Sequence, residues 1–220
     1  MKKIKIATRK SPLAIWQAKY VKEELIKAHV DIEIELVSMQ TEGDRFLESP
    51  LFNVGGKGLF IKELEEALSS NDADIAVHSM KDVVVDLPEN LVLPVIMKRE
   101  DSRDVLISNH YNEIDTIPNN SVVGTSSLRR QSQFRRLCPN VVLKDLRGNV
   151  ETRIRKLDDG EYDAILLAAA GIIRLGLSNR ITQLVPHGHL LPAVGQGAIG
   201  IECRADDMTT QELIAPLNDK

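Results

Sequence analysis

At 220 residues the chain is long enough for one large or two ordinary domains. Its 43% hydrophobic and 27% charged residues are typical of a globular protein, and a net charge of −4 argues against a general nucleic-acid binder. The longest apolar run, Ala164–Ile173, is about half of what a membrane-spanning helix needs.

The opening Met1-Lys-Lys-Ile-Lys-Ile leads directly into an expected strand, Ile4–Ala7, and does not read as a signal peptide. Ser11 suits a helix N-cap and Pro12 the first helical position, so a helix is expected to about Ala28, with Leu13, Trp16, Tyr20, Val21 and Leu25 on its apolar side. Ile32, Ile34 and Leu36 alternate with Glu33 and Glu35, the pattern of a half-exposed strand. Thr41–Gly58 is rich in glycine and reads as a long functional loop. Leu59–Ser69 is an expected helix.

Ile75–Val77 is a short apolar run that turns polar at His78, Ser79, Lys81 and Asp82. A buried strand ending in ionisable groups is where open α/β sheets place ligands. Leu91–Lys98 is an expected strand, put at a sheet edge or bend by Pro94. A second alternation follows: strands Val105–Ser108, Val122–Gly124, Val141–Leu146 and Ala164–Ala168, with helices Ser127–Leu137 and Val150–Leu157. Such alternation implies a parallel sheet with covering helices. After the turn-rich Leu191–Gly197, a return strand, Ala198–Glu202, and a helix, Thr209–Leu217, close the chain. The expected architecture is two α/β domains, 1–98 with 198–220 and 99–197, the chain crossing twice and the ligand in a cleft between them.

Two strand ends in the second alternation share one chemistry. Gly124-Thr-Ser-Ser-Leu-Arg-Arg130 ends a strand and opens a helix, so backbone N–H groups, the hydroxyls of Thr125, Ser126 and Ser127, and the forks of Arg129 and Arg130 make an anion site. Leu146-Arg-Gly-Asn149 repeats the geometry, with Arg147 ending a strand and Asn149 capping a helix that bears Arg153 and Arg155. Residues 121–156 hold seven arginines and two lysines against Asp145 and Glu151, a net +7, which leaves −11 on the rest. Arg135 and Arg136, far along their helix, read as a solvated face. Gly55-Gly-Lys57-Gly58 resembles part of a phosphate loop but has Leu51 and Gly58 where glycine and a hydroxyl residue are required, so a lid carrying Lys57 fits better. Cys138 and Cys203 lack metal-ligand spacing, no metal signature is present, and a reducing, cytoplasmic setting is expected. His29, His110, His187 and His189 are expected in solvent.

These stretches, with Ile6-Ala-Thr-Arg-Lys-Ser-Pro-Leu-Ala14, Val54–Phe60, Asp74–Asp82, Tyr162-Asp-Ala164, Ala168–Gly171 and Leu191–Gly197, run almost end to end and resemble the porphobilinogen deaminase (hydroxymethylbilane synthase) family. The resemblance implies the two-lobed periplasmic solute-binding fold. It also implies a transferase of tetrapyrrole and haem biosynthesis that joins four porphobilinogen molecules head to tail and releases ammonia at each step. The growing chain hangs from a dipyrromethane cofactor, itself held by a thioether to a cysteine in a third domain. By motif, Asp82 is the catalytic aspartate that stabilises the cation formed when ammonia leaves. Lys81, Thr125, Ser126, Ser127, Arg129 and Arg130 hold the cofactor, and Arg9, Ser11, Arg147, Arg153 and Arg174, with Gln17 as a further candidate, hold the substrate or growing chain. The resemblance further implies a monomer whose partners are porphobilinogen and the polypyrrole, with neither nucleic acid nor membrane.

Two departures stand out. Asp82-Val-Val-Val85 replaces the family's Asp-Val-Pro-Val. The chain also ends at Lys220, and neither cysteine matches the anchoring position, so the third domain is expected to be absent and the 220 residues inactive by themselves. The alternative left by the residues is a non-catalytic two-lobed module for a small polyanion, and Asp82 argues against it. A nucleotide-dependent enzyme would need the phosphate loop that the chain fails to complete.

Overall fold

A computed structural model describes residues 2–45, 58 and 60–219, and these divide into two compact units. Unit 1 comprises 1–99 and 198–220, and unit 2 comprises 100–197.

In unit 1, β1 (Lys2–Arg9) lies between β2 (Ile32–Met39) and β3 (Ile75–Ser79), parallel to both. β10 (Ile199–Arg204) is inserted antiparallel between β3 and the edge strand β4 (Leu91–Ile96), giving the order β2-β1-β3-β10-β4. Pro94, which has no N–H to give to a ladder, therefore sits on an edge. The period-2 alternation of the strands serves two layers. Ile4, Ile6, Ile75, Val77, Ile199 and Ile201 pack with α1 (Pro12–Ala28) and α7 (Met208–Ile214), while Ala7 and Ala76 meet Leu64, Ala67 and Leu68 of α3 (Lys62–Ser69). α1 starts as expected, with Ser11 capping and Pro12 first. Its buried stripe is set by Ala14, Gln17, Ala18, Val21 and Leu25, and Trp16 and Tyr20 stack on each other only partly buried, because small residues let the helix approach the sheet. A short helix α2 (Glu42–Arg45) begins the region expected to be irregular, and the expected lid residue Lys57 lies outside the described residues.

Unit 2 repeats the plan with the order β7-β6-β8-β5-β9. β6 (Val122–Gly124) is parallel to β7 (Val142–Lys144) and β8 (Ala164–Ala168), but β5 (Asp104–Ser108) is antiparallel to β8 and to β9 (Gln183–Leu184). The parallel sheet expected of the second alternation is corrected: β5 enters from the other direction, as β10 does in unit 1. α4 (Leu128–Leu137) buries Phe134 against one face with Leu106, Val123 and Leu166. α5 (Val150–Asp158) and α6 (Ala169–Arg174) cover the other with Ile154, Leu157 and Ile172. α6 was not expected from sequence, because Ala164–Ile173 is one unbroken apolar run whose strand-to-helix switch carries no polar signal. No helix among the described residues is long and apolar enough to cross a membrane.

Candidate functional site

In unit 1 the parallel register Ile6↔Ile75 and Ala7↔Ala76 brings the carboxyl ends of β1 and β3 to one sheet edge. β1 delivers Arg9, whose guanidinium lies 4.2 Å over the Phe60 ring, a cation–π contact that holds the side chain at the strand end. Ser11 spends its hydroxyl on the Ala14 N–H as the N-cap. β3 delivers Ser79 and then a 3-10 turn, Met80–Asp82, closed by the Val83 N–H donating to the Met80 carbonyl at 3.2 Å. In a 3-10 turn successive side chains point about 120° apart, so Lys81 and Asp82 are not forced to opposite faces as on a strand. Lys81 is exposed, and Asp82 is half-buried and accepts no hydrogen bond from a described residue.

The layer beneath that turn is polar and buried. Gln17 pairs its amide with the Ser79 hydroxyl, donating from Nε2 at 2.9 Å and accepting at Oε1 at 3.2 Å. Gln17 thus fixes the end of β3 beside the turn that carries Lys81 and Asp82. His78 is buried on a 2.8 Å bond to Glu202, a diagonal neighbour on β10, whose Gly200 is the residue directly opposite His78. The second Glu202 oxygen and Glu65 Oε1 are buried without a hydrogen-bond partner among the described residues. Burial, reinforced by the Glu202 charge, pushes the Glu65 carboxyl up from its ordinary value.

In unit 2 the parallel trio β7-β6-β8 ends at one edge, and the antiparallel β5 begins there, with Asp104 opposite Ala168. Two of these strand ends lead into capped helices, at Asn149 as the sequence suggests and at Ser127. Ser127 accepts from the Arg130 N–H, and Asn149 accepts from the Thr152 N–H at 2.8 Å. Gly148 adopts φ +113°, and an added Cβ would meet Thr152 Cγ2 at 2.7 Å, so the turn presenting Arg147 requires glycine. Arg147 is half-buried, with no hydrogen bond or ion pair to a described residue. Arg153 donates from Nε to the Gly148 carbonyl at 2.7 Å, and Arg174, 9% exposed, donates to the Gly197 carbonyl at 2.7 Å.

Ser126 and Arg130 depart from the expectation that both face a ligand. The Ser126 hydroxyl donates to the Leu146 carbonyl and accepts the Leu146 N–H, both at 3.0 Å, which ties the two strand-end loops together and uses its one donor. Arg130 is buried: Nε and Nη2 donate to Asp104 Oδ1 at 3.0 and 2.8 Å, and Nη1 to the Leu166 carbonyl at 3.0 Å. Arg129 holds the same carboxylate end-on, Nη1 to Oδ2 at 2.7 Å and Nη2 to Oδ1 at 3.2 Å, while Nη1 also donates to the Leu191 carbonyl. Gln196 adds a bond to Asp104 Oδ1 at 2.9 Å. Burial alone would push the Asp104 carboxyl up, but the Arg130 charge and the bonds from Arg129, Arg130 and Gln196 outweigh it and hold it below its ordinary value. Sequence reasoning missed Asp104 and Gln196. A lone acid opening an apolar strand was the available signal, since a buried carboxylate needs cationic partners.

The thiols are ordinary packing groups. Burial pushes Cys203 up to about 11, and Cys138 is raised for the same reason. His29 is half-buried, its Nε2 2.8 Å from the Leu213 carbonyl, which corrects its expected solvent exposure. No group of three or more His, Cys, Asp or Glu among the described residues could hold a metal ion.

The fold is similar to two-lobed solute-binding proteins. The methionine binding protein MetQ is 14% identical, with a TM-score of 0.61 over 98% of this chain and 89% of that one. A nutrient binding protein from Burkholderia cenocepacia bound to methionine is 12% identical, with a TM-score of 0.57 over 96% and 90%. The BvgS VFT2 domain of Bordetella pertussis is 15% identical, with a TM-score of 0.53 over 98% and 85%. At these identities the likeness shows the fold alone. A family model described as porphobilinogen deaminase, dipyromethane cofactor binding domain, matches residues 4–212, which span both strand-end sets described above. The chain belongs to the porphobilinogen deaminase family.

Proposed function

We propose that this protein condenses porphobilinogen head to tail into hydroxymethylbilane, releasing ammonia. The observation that carries the reading is Asp82, a half-buried carboxylate that accepts no hydrogen bond from a described residue, placed by a short turn at the end of β3. A module that only bound polyanions would gain nothing from it.

The donor set fits a dipyrromethane, which bears carboxylates outside and pyrrole N–H groups inside. Among the described residues, Arg147 has no acid partner, the Arg129 Nε–H has no acceptor, and Asp82 has no donor. Lys81, Thr125, Ser127 and Arg129 would hold the cofactor carboxylates, with Arg130 adding positive charge from behind through Asp104. When bound, the cofactor supplies the carbon nucleophile and the tether. Arg9, Arg147, Arg153 and Arg174 take the acetate and propionate of the incoming pyrrole, and Ser11 fixes the helix beside Arg9. Asp82 accepts hydrogen bonds from pyrrole N–H groups and stabilises the positive charge that develops on the substrate as ammonia departs, as fixed charges do where charge grows in a transition state.

Neither thiol of this chain serves as the tether in this reading, because a buried thiol held high is a poor nucleophile. The 220 residues alone are therefore proposed to be inactive, and the anchoring cysteine to lie elsewhere in the natural gene product, a monomer of the cytoplasm. The test is to incubate the natural gene product with porphobilinogen and follow ammonia and bilane. Stoichiometric release of both supports the reading, and binding without ammonia release would favour a polyanion-binding module.

A further inference from the structure

Asp104 is the node of unit 2. Its carboxylate is fully buried, so it cannot itself meet a ligand, yet it binds the two arginines at the start of α4 and the Gln196 amide. Each guanidinium uses a different edge. Arg130 comes side-on through Nε and Nη2, its third bond going to Leu166, and stays buried. Arg129 comes end-on through Nη1 and Nη2, and its side chain remains 23% exposed. That leaves the Nε–H and the outer Nη2–H of Arg129, the edge of the fork that takes a carboxylate bidentately, without a partner among the described residues. One carboxylate against two guanidiniums leaves a net positive charge on the cluster.

We propose that Asp104 is the positioning residue of the anion site: it clamps the inner edge of Arg129 so that the outer edge is fixed toward a ligand carboxylate. This rests on the reading that Arg129 receives such a carboxylate. The clamp persists when the site is filled; Asp104 is not a stand-in that the ligand displaces. Gln196 holds the carboxylate from the other side and bonds the Ser102 carbonyl at 2.7 Å, which fixes Asp104 at the start of β5.

The sign of one substitution separates positioning from simple charge. Asp104→Asn makes the site more positive, so charge alone would tighten anion binding, whereas loss of the clamp weakens it. The probe is citrate, titrated calorimetrically into the purified chain at low salt, with circular dichroism to verify the fold. We expect Asp104→Asn to bind citrate about tenfold more weakly or worse, the scale of one misplaced charge-assisted hydrogen bond. Equal or tighter binding would overturn the proposal. Should the variant not fold, nitrogen-15 spectra of the wild-type arginine side chains decide. On adding citrate the Arg129 Nε–H resonance should move while its Nη protons stay protected from exchange, and loss of that protection would show Asp104 displaced and the proposal wrong. A wild-type chain that binds neither citrate nor porphobilinogen overturns the anion site and this proposal together, whereas binding that ignores Asp104→Asn overturns this proposal alone.

Discussion

At the scale of the residue, local physics is the part most readable in the chain. Ser11 and Asn149 are identifiable as caps because a cap is decided within four residues, and both accept the expected backbone N–H, as does Ser127, read from sequence as an anion-binding hydroxyl. Ser126 and Arg130 were not assignable, since their partners lie 20 and 26 residues away, at Leu146 and Asp104, and only the sheet order brings them together. The distinction is testable. Ser126→Ala orphans the Leu146 N–H and should cost about 1–3 kcal/mol of stability. Arg147→Leu should leave stability within about 0.5 kcal/mol, as expected for a side chain with no hydrogen bond or ion pair to a described residue, and weaken porphobilinogen binding. Urea denaturation of both variants checks the first part and calorimetry the second. The thiols give a further residue-scale expectation. With Cys203 pushed up to about 11 by burial and Cys138 raised likewise, the folded chain should react slowly with a thiol reagent. Its intact mass should also be unchanged after incubation with porphobilinogen, and a pyrrole adduct on either cysteine would be the contrary result.

At the scale of the element, the strands that feed the site were legible from short apolar runs ending in polar groups: β3, β6 and β8 run where the sequence placed them. Direction was not legible. Nothing in Ile199–Arg204 or Asp104–Ser108 marks an antiparallel strand, because buried strands of either sense are equally apolar, and direction is set by which connection closes the sheet. These two reversed strands matter for the chemistry, since β5 brings Asp104, and β10 brings Glu202, to the polar groups beside it. The segment that precedes β10 is closely packed against the one that precedes β5 within unit 2. Gly197 has φ +92°, and a Cβ there would come 2.5 Å from the Glu100 carbonyl oxygen. Gly197→Ala should therefore destabilise the chain by about 1–3 kcal/mol, read from chemical denaturation, because the strained backbone leaves alanine no relaxed conformation.

At the scale of the whole molecule, charge is segregated: +7 lies in 121–156 and −11 elsewhere, a pattern visible without any structure. What the sequence could not show is that part of the positive charge, on Arg129 and Arg130, is paired internally with Asp104. Stability should follow two opposite carboxyl shifts. Asp104 is held low, so its contribution is complete above the unfolded value near 3.8 and disappears as pH falls further. Glu65 is held high, so its contribution is complete below the unfolded value near 4.5 and disappears as pH rises. Glu65→Gln should accordingly stabilise unit 1 at pH 7 and leave it unchanged near pH 4. The single tryptophan, Trp16, lies in that unit and reports its unfolding by fluorescence. A variant no more stable than wild type at pH 7 would contradict the buried-carboxyl assignment. The central claim is that Asp82 does chemistry at the end of β3 and the arginines only bind. Asp82→Asn keeps shape and removes charge, and the decisive measurement is ammonia release from porphobilinogen by that variant of the natural gene product, already carrying its cofactor. We expect turnover to fall by about 10²–10³, the usual cost of losing one preorganised electrostatic group, with thermal stability preserved. Turnover within a few fold of wild type would contradict it.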